Sequence, residues 1–270
     1  MRYETLYNGR KIPVIGLGTW NIGGGMVSDY FLDGENVRII QTAIEMGYTH
    51  IDTAQMYGSG HTEELVGKAI KSFKREDLFI TTKVWSSDLR YRDVMKRLEE
   101  SLRRLGSHYV DLYLIHWPNP AIPLKETMKA FGELVHLGKA KYIGVSNFSL
   151  EQLKQAQQLA DVPIATNQVE YNVFSREPER NGLLQYCQEN NIILTAYEPF
   201  GKGSVLHDGQ LQRIASRNKV TAAQLALYWL ISKPKVITIP KSSNSTHLKE
   251  NLDVLNLEFT AQVMAQLNRM

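Results

Sequence analysis

The chain has 270 residues, of which 43% are hydrophobic and 22% are charged, and its formal net charge is +3. This length suits one large domain, as in many α/β barrels, or two small ones. The net charge is too mild to argue for nucleic-acid binding, and no block of like charges forms a basic tail. The single cysteine, Cys187, excludes an internal disulfide and a cysteine metal cluster.

The sequence also indicates where in the cell the protein lies. The N-terminal segment 1–4 has no apolar signal region, and no apolar run approaches the ~18 residues of a membrane span. We therefore expect a cytoplasmic protein with neither membrane nor nucleic-acid partners. Cys187 has no base beside it in the sequence, so we expect a packed, unreactive thiol.

Short apolar runs alternate with segments of helical period along the whole chain. The pair Asn8-Gly9 predicts a two-residue hairpin turn between 5–7 and 10–12, ahead of an apolar run at 14–18. Further strands are predicted at 48–51, 78–83, 110–115, 141–145, 164–169, 192–197 and 236–239. Helices are predicted at 35–46, 63–70, 90–104, 124–137, 150–160, 180–190, 221–231, 245–252 and 260–268, with N-caps at Ser149 and Thr221.

About eight strand–helix units follow one another without a Pro-, Gly- or Ser-rich linker. Alternation on this scale predicts an α/β protein with a parallel sheet, and favours a closed (β/α)8 TIM barrel with an N-terminal β-hairpin cap, as one domain over 1–270. A Rossmann fold is the alternative. Gly16-Leu17-Gly18 begins the G-x-G-x-x-G pattern of that fold, but the third glycine is missing and no helix follows at once.

Polar or aromatic residues follow almost every predicted strand, and the carboxyl ends of barrel strands meet on one face. Taken singly, each has a structural explanation: Asp52 as a turn residue, Lys83 as a solvated strand end, His116 as a core histidine, Tyr57 as surface packing. Taken together they favour a catalytic site. The residues at these positions are Trp20, Asp52, Lys83, His116, Ser146, Asn147, Gln168, Tyr197 and Lys241.

The motifs around these residues resemble the aldo-keto reductase family over almost the whole chain. The order and spacing of the motifs together make the resemblance specific. It is carried by Gly16-Leu17-Gly18-Thr19-Trp20, the run Asp52 to Gly58, Lys83-Val84-Trp85, the run Asp111 to Pro118, Gly144 to Phe148, Asn167 to Glu170, and Ile239 to Ser242. It implies a barrel enzyme that reduces aldehydes and some ketones to alcohols with NAD(P)H.

The resemblance also implies the catalytic roles. Tyr57 would donate the proton to the carbonyl oxygen, with Lys83 beside it and Asp52 paired to Lys83. A free tyrosine has a pKa near ~10, and a nearby ammonium lowers it, so we expect a lowered pKa for Tyr57. His116 would donate a hydrogen bond to the substrate carbonyl and set its orientation.

By the same resemblance, the remaining residues bind NADP(H), and NAD(H) with lower affinity, without a metal. Tyr197 would stack on the nicotinamide, whose carboxamide Ser146, Asn147 and Gln168 would hold. The pyrophosphate would contact the backbone around Phe200. The 2′-phosphate would be bound by Lys241, Ser242 and His247, and the adenine would be held by Glu250 and Asn251. The substrate mouth would be lined by Trp20, Trp85 and Trp117.

Three features depart from the family pattern. Glu198 stands where a serine often lies near the phosphates, and its role stays open. His247 stands where many members have an arginine, so the preference for NADPH is expected to be modest and pH-sensitive. The chain stops at Met270 and the segment 200–210 is short, from which we expect an open pocket of broad tolerance.

Two other functions stay open beside the reductase. One is a non-catalytic, cofactor-binding regulatory subunit on the same fold, which the set Asp52, Tyr57, Lys83 and His116 argues against. The other is an aldolase that uses Lys83 as a Schiff base and needs no nicotinamide. The sequence leaves open the physiological substrate, the direction of the reaction and the oligomeric state.

Overall fold

Strands and helices alternate along the computed structural model, which describes residues 1–270. The strands are β1 (Tyr3–Thr5), β2 (Lys11–Pro13), β3 (Leu17–Gly18), β4 (His50–Asp52), β5 (Phe79–Val84), β6 (Val110–Ile115), β7 (Ala140–Ser146), β8 (Ile164–Glu170), β9 (Ile193–Tyr197) and β10 (Val236–Thr238). The α-helices are α1 (Asp33–Met46), α2 (His61–Ile70), α3 (Tyr91–Leu105), α4 (Leu124–His136), α5 (Leu150–Leu159), α6 (Glu177–Arg180), α7 (Leu183–Glu189), α8 (Ser204–His207), α9 (Gly209–Arg217), α10 (Ala222–Ile231), α11 (Ser245–Asp253) and α12 (Ala261–Leu267).

The eight strands from β3 to β10 form one sheet in chain order, and each strand is parallel to the next. The first and last strands also meet. Ile15 forms a parallel bridge with Thr238, and Thr238 N donates to Val14 O at 2.9 Å. The predicted (β/α)8 barrel is therefore confirmed, and the open Rossmann sheet was the wrong alternative.

The N-terminal hairpin of β1 and β2 is present, with Thr5 opposite Lys11. Its turn differs from the prediction. Leu6 N donates to Arg10 O at 2.8 Å, so residues 7–9 form a three-residue loop with Gly9 at φ 88°. Arg10 then pairs with Asp111 near the start of β6, which places the hairpin at the end of the barrel opposite the strand carboxyl ends.

The barrel strands are buried on both faces, since helices cover the outside and side chains fill the inside. Every residue of β5 and β6 is buried. Polar groups inside pair with each other: His50 Nε2 lies 3.0 Å from Thr81 Oγ1, and burial lowers the pKa of His50 to about 4. Cys187 is fully buried, and burial raises the pKa of its thiol to about 12, as expected for a packed thiol.

The two predicted N-caps are confirmed. Ser149 and Thr221 each form a capping box at the start of α5 and α10. The predicted helix at 180–190 is divided, because Gly182 at φ 79° separates α6 from α7. The pattern missed α9, which Asp208 caps. None of the helices is both long and apolar enough to cross a lipid bilayer.

Candidate active site

A buried acid–lysine pair lies at the carboxyl ends of β4 and β5. Lys83 Nζ is 2.5 Å from Asp52 Oδ1 and donates to Thr53 O at 2.9 Å. Both side chains are almost fully buried, so either charge would be strongly destabilising without the other. Burial alone would lower the pKa of Lys83, but the adjacent Asp52 and Tyr57 more than offset this, and the net shift is upward. The lysine is therefore held as an ammonium.

Tyr57 points into the same cluster from the turn after β4. Its hydroxyl is 3.4 Å from Lys83 Nζ. The turn depends on Gly58, which has φ 53° and where a Cβ would lie 2.6 Å from Gly23 O. Because no side chain fits there, glycine fixes the path that aims Tyr57 inward.

The expected lowering of the Tyr57 pKa was wrong. Burial raises the pKa of Tyr57, and Lys83 opposes this without reversing it. The physical reason is that Asp52 neutralises much of the Lys83 charge at this distance, while a phenolate would lose its hydration. Tyr57 therefore keeps its proton at neutral pH.

His116 follows β6 and completes the cluster. Its backbone N donates to Val84 O at 3.0 Å, and its ring packs edge-on against Tyr57 and Trp85. Burial, with a smaller effect from Lys83, lowers the pKa of His116 to about 2, so the imidazole is neutral. Nδ1 is buried without a partner. A buried N–H without an acceptor is costly, which favours the tautomer whose Nε2–H faces the cavity.

Gln168, at the end of β8, is tied to the acid of this cluster. Its Nε2 donates to Asp52 Oδ2 at 2.7 Å. Asp52 is thus held by Lys83 on one oxygen and by Gln168 on the other. Sequence reasoning assigned Gln168 to the cofactor and missed this bond, which joins residues 116 positions apart. No local pattern carries that signal.

Ser146, Asn147 and Tyr197 form the adjoining wall. Tyr197 Oη donates to Asn147 Oδ1 at 2.9 Å, which fixes the ring. Asn147, at φ 62°, donates through Nδ2 to His116 O at 3.0 Å. Ser146 Oγ donates to Gln168 O at 2.9 Å. The wall and the cluster of Asp52, Lys83, Tyr57 and His116 are therefore one hydrogen-bonded unit.

These groups line a cavity of about 480 Å³ at the carboxyl-terminal face of the barrel. Its polar floor is the cluster, and its aromatic sides include all three predicted tryptophans. Trp117 is the most exposed of them, at 44%. The lining includes Trp20, Asp52, Tyr57, Trp85, His116, Trp117, Ser146, Asn147, Gln168, Tyr197, Glu198, Phe200 and Lys241. Lys83 lies beneath this surface and contacts Tyr57, which lines the cavity.

A second cavity, of about 610 Å³, adjoins the first. The two share the lining residues Phe200, Leu206 and Lys241. The rest of its lining includes Ser242, His247, Glu250 and Asn251. The structure thus brings the residues predicted for the adenosine end together, at a distance from the catalytic cluster.

The two joined cavities fit a nicotinamide dinucleotide. The first offers the flat ring of Tyr197 and the side-chain oxygen of Gln168, which accepts no hydrogen bond from the protein. The junction offers Lys241, whose Nζ has a single side-chain contact, at 3.5 Å to Ser243 Oγ. Ser242 is less available, because its hydroxyl exchanges hydrogen bonds with the backbone of Asn244. No group of His, Cys, Asp or Glu is arranged to hold a metal ion.

Glu198 follows Tyr197 with φ 51°. Its carbonyl accepts from Asn172 Nδ2 at 3.0 Å and from Gly201 N at 2.9 Å, which holds this conformation. Its carboxylate accepts from Lys202 N at 3.2 Å. The Glu198 carboxylate is thus bound by a backbone amide instead of a cation.

Comparison with known proteins agrees with this geometry. The profile of the Aldo/keto reductase family matches residues 14–270. A thermostable aldo-keto reductase crystallised with the inhibitor epalrestat superposes with a TM-score of 0.97 at 49% identity, over 100% of this chain and 99% of that one. An aldo-keto reductase from Klebsiella pneumoniae in complex with NADPH superposes with a TM-score of 0.91 at 34% identity, over 100% of this chain and 95% of that one. The glyoxal reductase of Bacillus subtilis is 36% identical over 97% of this chain and 90% of its own length.

Proposed function

The chain belongs to the aldo/keto reductase family, and on this premise we propose that it reduces aldehydes and some ketones to alcohols with NADPH, with Tyr57 as the proton donor. The observation that carries the proposal is the cluster of Tyr57, Lys83, Asp52 and His116 on the floor of one cavity. We take residues 1–270 as a single functional barrel.

A nicotinamide cofactor, when bound, would supply a hydride to the carbonyl carbon. The protein then has to manage the charge that builds on the carbonyl oxygen. His116, neutral and with Nε2–H facing the cavity, orients that oxygen and stabilises its charge. Tyr57 gives it a proton. As Tyr57 becomes a phenolate, the Lys83 ammonium at 3.4 Å stabilises the negative charge, and Asp52 keeps Lys83 in place.

We propose that NADPH is preferred over NADH. Lys241 is the cation at the junction of the cavities and has no acidic partner within ion-pair distance. His247 lies near the start of α11 and lines the same cavity, with an exposed side chain. A histidine gives a weaker phosphate contact than the bidentate fork of arginine, and the contact depends on protonation of the imidazole. The preference for NADPH over NADH should therefore be modest.

The substrate class follows from the walls of the cavity. Aromatic side chains around a polar floor suit a carbonyl group carried on an apolar or aromatic body. One relative is named a glyoxal reductase and another, from Escherichia coli, a methylglyoxal reductase. Small dicarbonyls therefore belong in a test panel beside benzaldehydes.

Neither alternative function accounts for the cluster. A regulatory subunit would not require the bond between Lys83 and Asp52 beside Tyr57 and His116. An aldolase would need a neutral Lys83 as nucleophile, whereas the net pKa shift of Lys83 is upward. The deciding experiment is the loss of NADPH absorbance with an aromatic aldehyde. Absence of turnover with retained NADPH binding would favour the regulatory subunit, and cleavage without nicotinamide would favour the aldolase.

A further inference from the structure

A carboxylate lies on the path between the two cavities. Glu198 lines the first cavity together with Pro199, Phe200, Gly203 and Leu206. Phe200 and Leu206 also line the second cavity. Whatever molecule fills both cavities at once must pass this segment. Under the proposed function that molecule is a dinucleotide, and the part that joins its two halves is the pyrophosphate.

The carboxylate of Glu198 has no positive partner. It forms no ion pair, and its hydrogen bond is with Lys202 N at 3.2 Å. Its charge contributes, after burial and Glu170, to raising the pKa of Tyr197 to about 12, so the field of Glu198 reaches the wall of the first cavity. An uncompensated anion therefore stands beside the place where a polyanion must lie.

The backbone of this segment leaves the Lys202 amide to a side chain, because Gly201 N donates to Glu198 O and Gly203 N donates to Phe200 O, both at 2.9 Å. Glu198, Gly201, Lys202 and Gly203 all have positive φ, at 51°, 52°, 54° and 96°. The carboxylate of Glu198 is the acceptor that this Lys202 amide has in the structure.

We propose that Glu198 acts as an anionic latch on the dinucleotide site, occupying the Lys202 amide until the cofactor pyrophosphate displaces it. This inference rests on the proposed function. Binding must break the bond between the Glu198 carboxylate and Lys202 N, and must bring two like charges together. The latch thus weakens the affinity for both NADPH and NADH and speeds their release. A faster release raises turnover wherever cofactor departure limits the rate.

The test is cofactor binding to Glu198→Gln, which keeps the size of the side chain and an acceptor oxygen but removes the charge. Dissociation constants for NADPH and NADH are measured by quenching of protein fluorescence, and release rates by stopped flow. We expect both cofactors to bind about tenfold more tightly, with most of the change in release, and the gain to shrink as salt rises. Adenosine 2′-monophosphate, which lacks the pyrophosphate, should bind to the variant and the parent alike.

The matched control is Glu170→Gln. Glu170 pairs with Tyr197 in the sheet register and also raises its pKa, but it is exposed and does not line the cavity. It should leave every dissociation constant unchanged. If Glu198→Gln does not fold, Glu198→Asn removes the same charge and suits the left-handed backbone.

Two results would overturn the latch. One is an unchanged affinity for NADPH and NADH in Glu198→Gln. The other is an equal gain in affinity for adenosine 2′-monophosphate. That gain would indicate that the charge of Glu198 acts on the second cavity as a whole and not at the pyrophosphate position. Failure of the proposed function looks different, because the parent itself would then bind neither NADPH nor NADH.

Discussion

The side-chain amide of Gln168 donates to Asp52 at 2.7 Å, on the oxygen that Lys83 does not use. Asp52 is thus clamped from two sides, and Gln168 joins the wall of the cavity to the acid–lysine pair. Gln168, whose side-chain oxygen faces the cavity, can in this way position Asp52, which holds Lys83.

We expect Gln168→Met to lower kcat by roughly ten- to a hundredfold, since a hydrogen bond to a charged group is worth about 1.5–3 kcal/mol. The pH dependence of kcat should shift as well, because a freer Asp52 changes the field at Lys83 and Tyr57. Steady-state kinetics across pH, with cofactor affinity measured separately, checks this. A variant with normal kcat and only weaker cofactor binding would leave Gln168 as a cofactor contact alone.

Tyr57→Phe should cut turnover by roughly 10²- to 10⁴-fold, the range for a lost acid–base group, with little change in NADPH affinity. Tyr113→Phe is the matched control, because the Tyr113 hydroxyl is buried without a partner. That change should leave activity intact and keep or raise the free energy of unfolding. Near-normal turnover in Tyr57→Phe would remove Tyr57 from the mechanism.

Stability should decline on mild acidification. Burial lowers the pKa of His50 to about 4 and of His116 to about 2, whereas a histidine in the unfolded chain titrates near ~6.5. The unfolded state therefore binds more protons below pH ~6.5, and the free energy of unfolding falls as pH falls, by up to about 1.4 kcal/mol per pH unit for each histidine.

Urea unfolding between pH 7.5 and 5 tests this pH dependence. In His50→Gln the free energy of unfolding should fall less steeply with pH than in the parent, because one of the two histidines with a lowered pKa is gone. Equal slopes in the two proteins would show that His50 does not contribute.

Lys241→Met should weaken NADPH binding by roughly ten- to a hundredfold and NADH binding by much less, since a phosphate loses its cation. Lys249→Met serves as the control: Lys249 belongs to α11 but pairs with Asp253 and lines neither cavity. Fluorescence titration with both cofactors measures the preference. Parallel losses for NADPH and NADH in Lys241→Met would mean that Lys241 contacts the pyrophosphate instead of the 2′-phosphate.

Trp117→Ala should raise KM for benzaldehydes by about tenfold, the order expected from loss of aromatic contact area. Glyoxal and methylglyoxal are too small to use this outer wall, so their kcat/KM should change little. Kinetics with both substrate sets provides the internal control. An equal loss for all substrates would instead indicate a structural role for Trp117.

Much of the site was predictable because Asp52, Lys83 and His116 lie in or directly after three different strands. The period of the apolar runs located β4, β5 and β6, and barrel geometry then required that Asp52, Lys83 and His116 meet at one end. Tyr57 follows in the same motif. The turn details were less predictable: one extra residue in the hairpin loop and the break at Gly182 depend on local hydrogen bonds that many sequences share.

The sequence by itself determined the barrel, the family and the set of candidate catalytic side chains, since hydrophobic period and motif order are properties of the chain. Only the tertiary structure decided the bond between Gln168 and Asp52, the backbone partner of Glu198 and the upward pKa shift of Tyr57. These depend on distances between side chains remote in sequence and on how completely each is removed from water. Neither quantity exists until the strands have closed into a barrel.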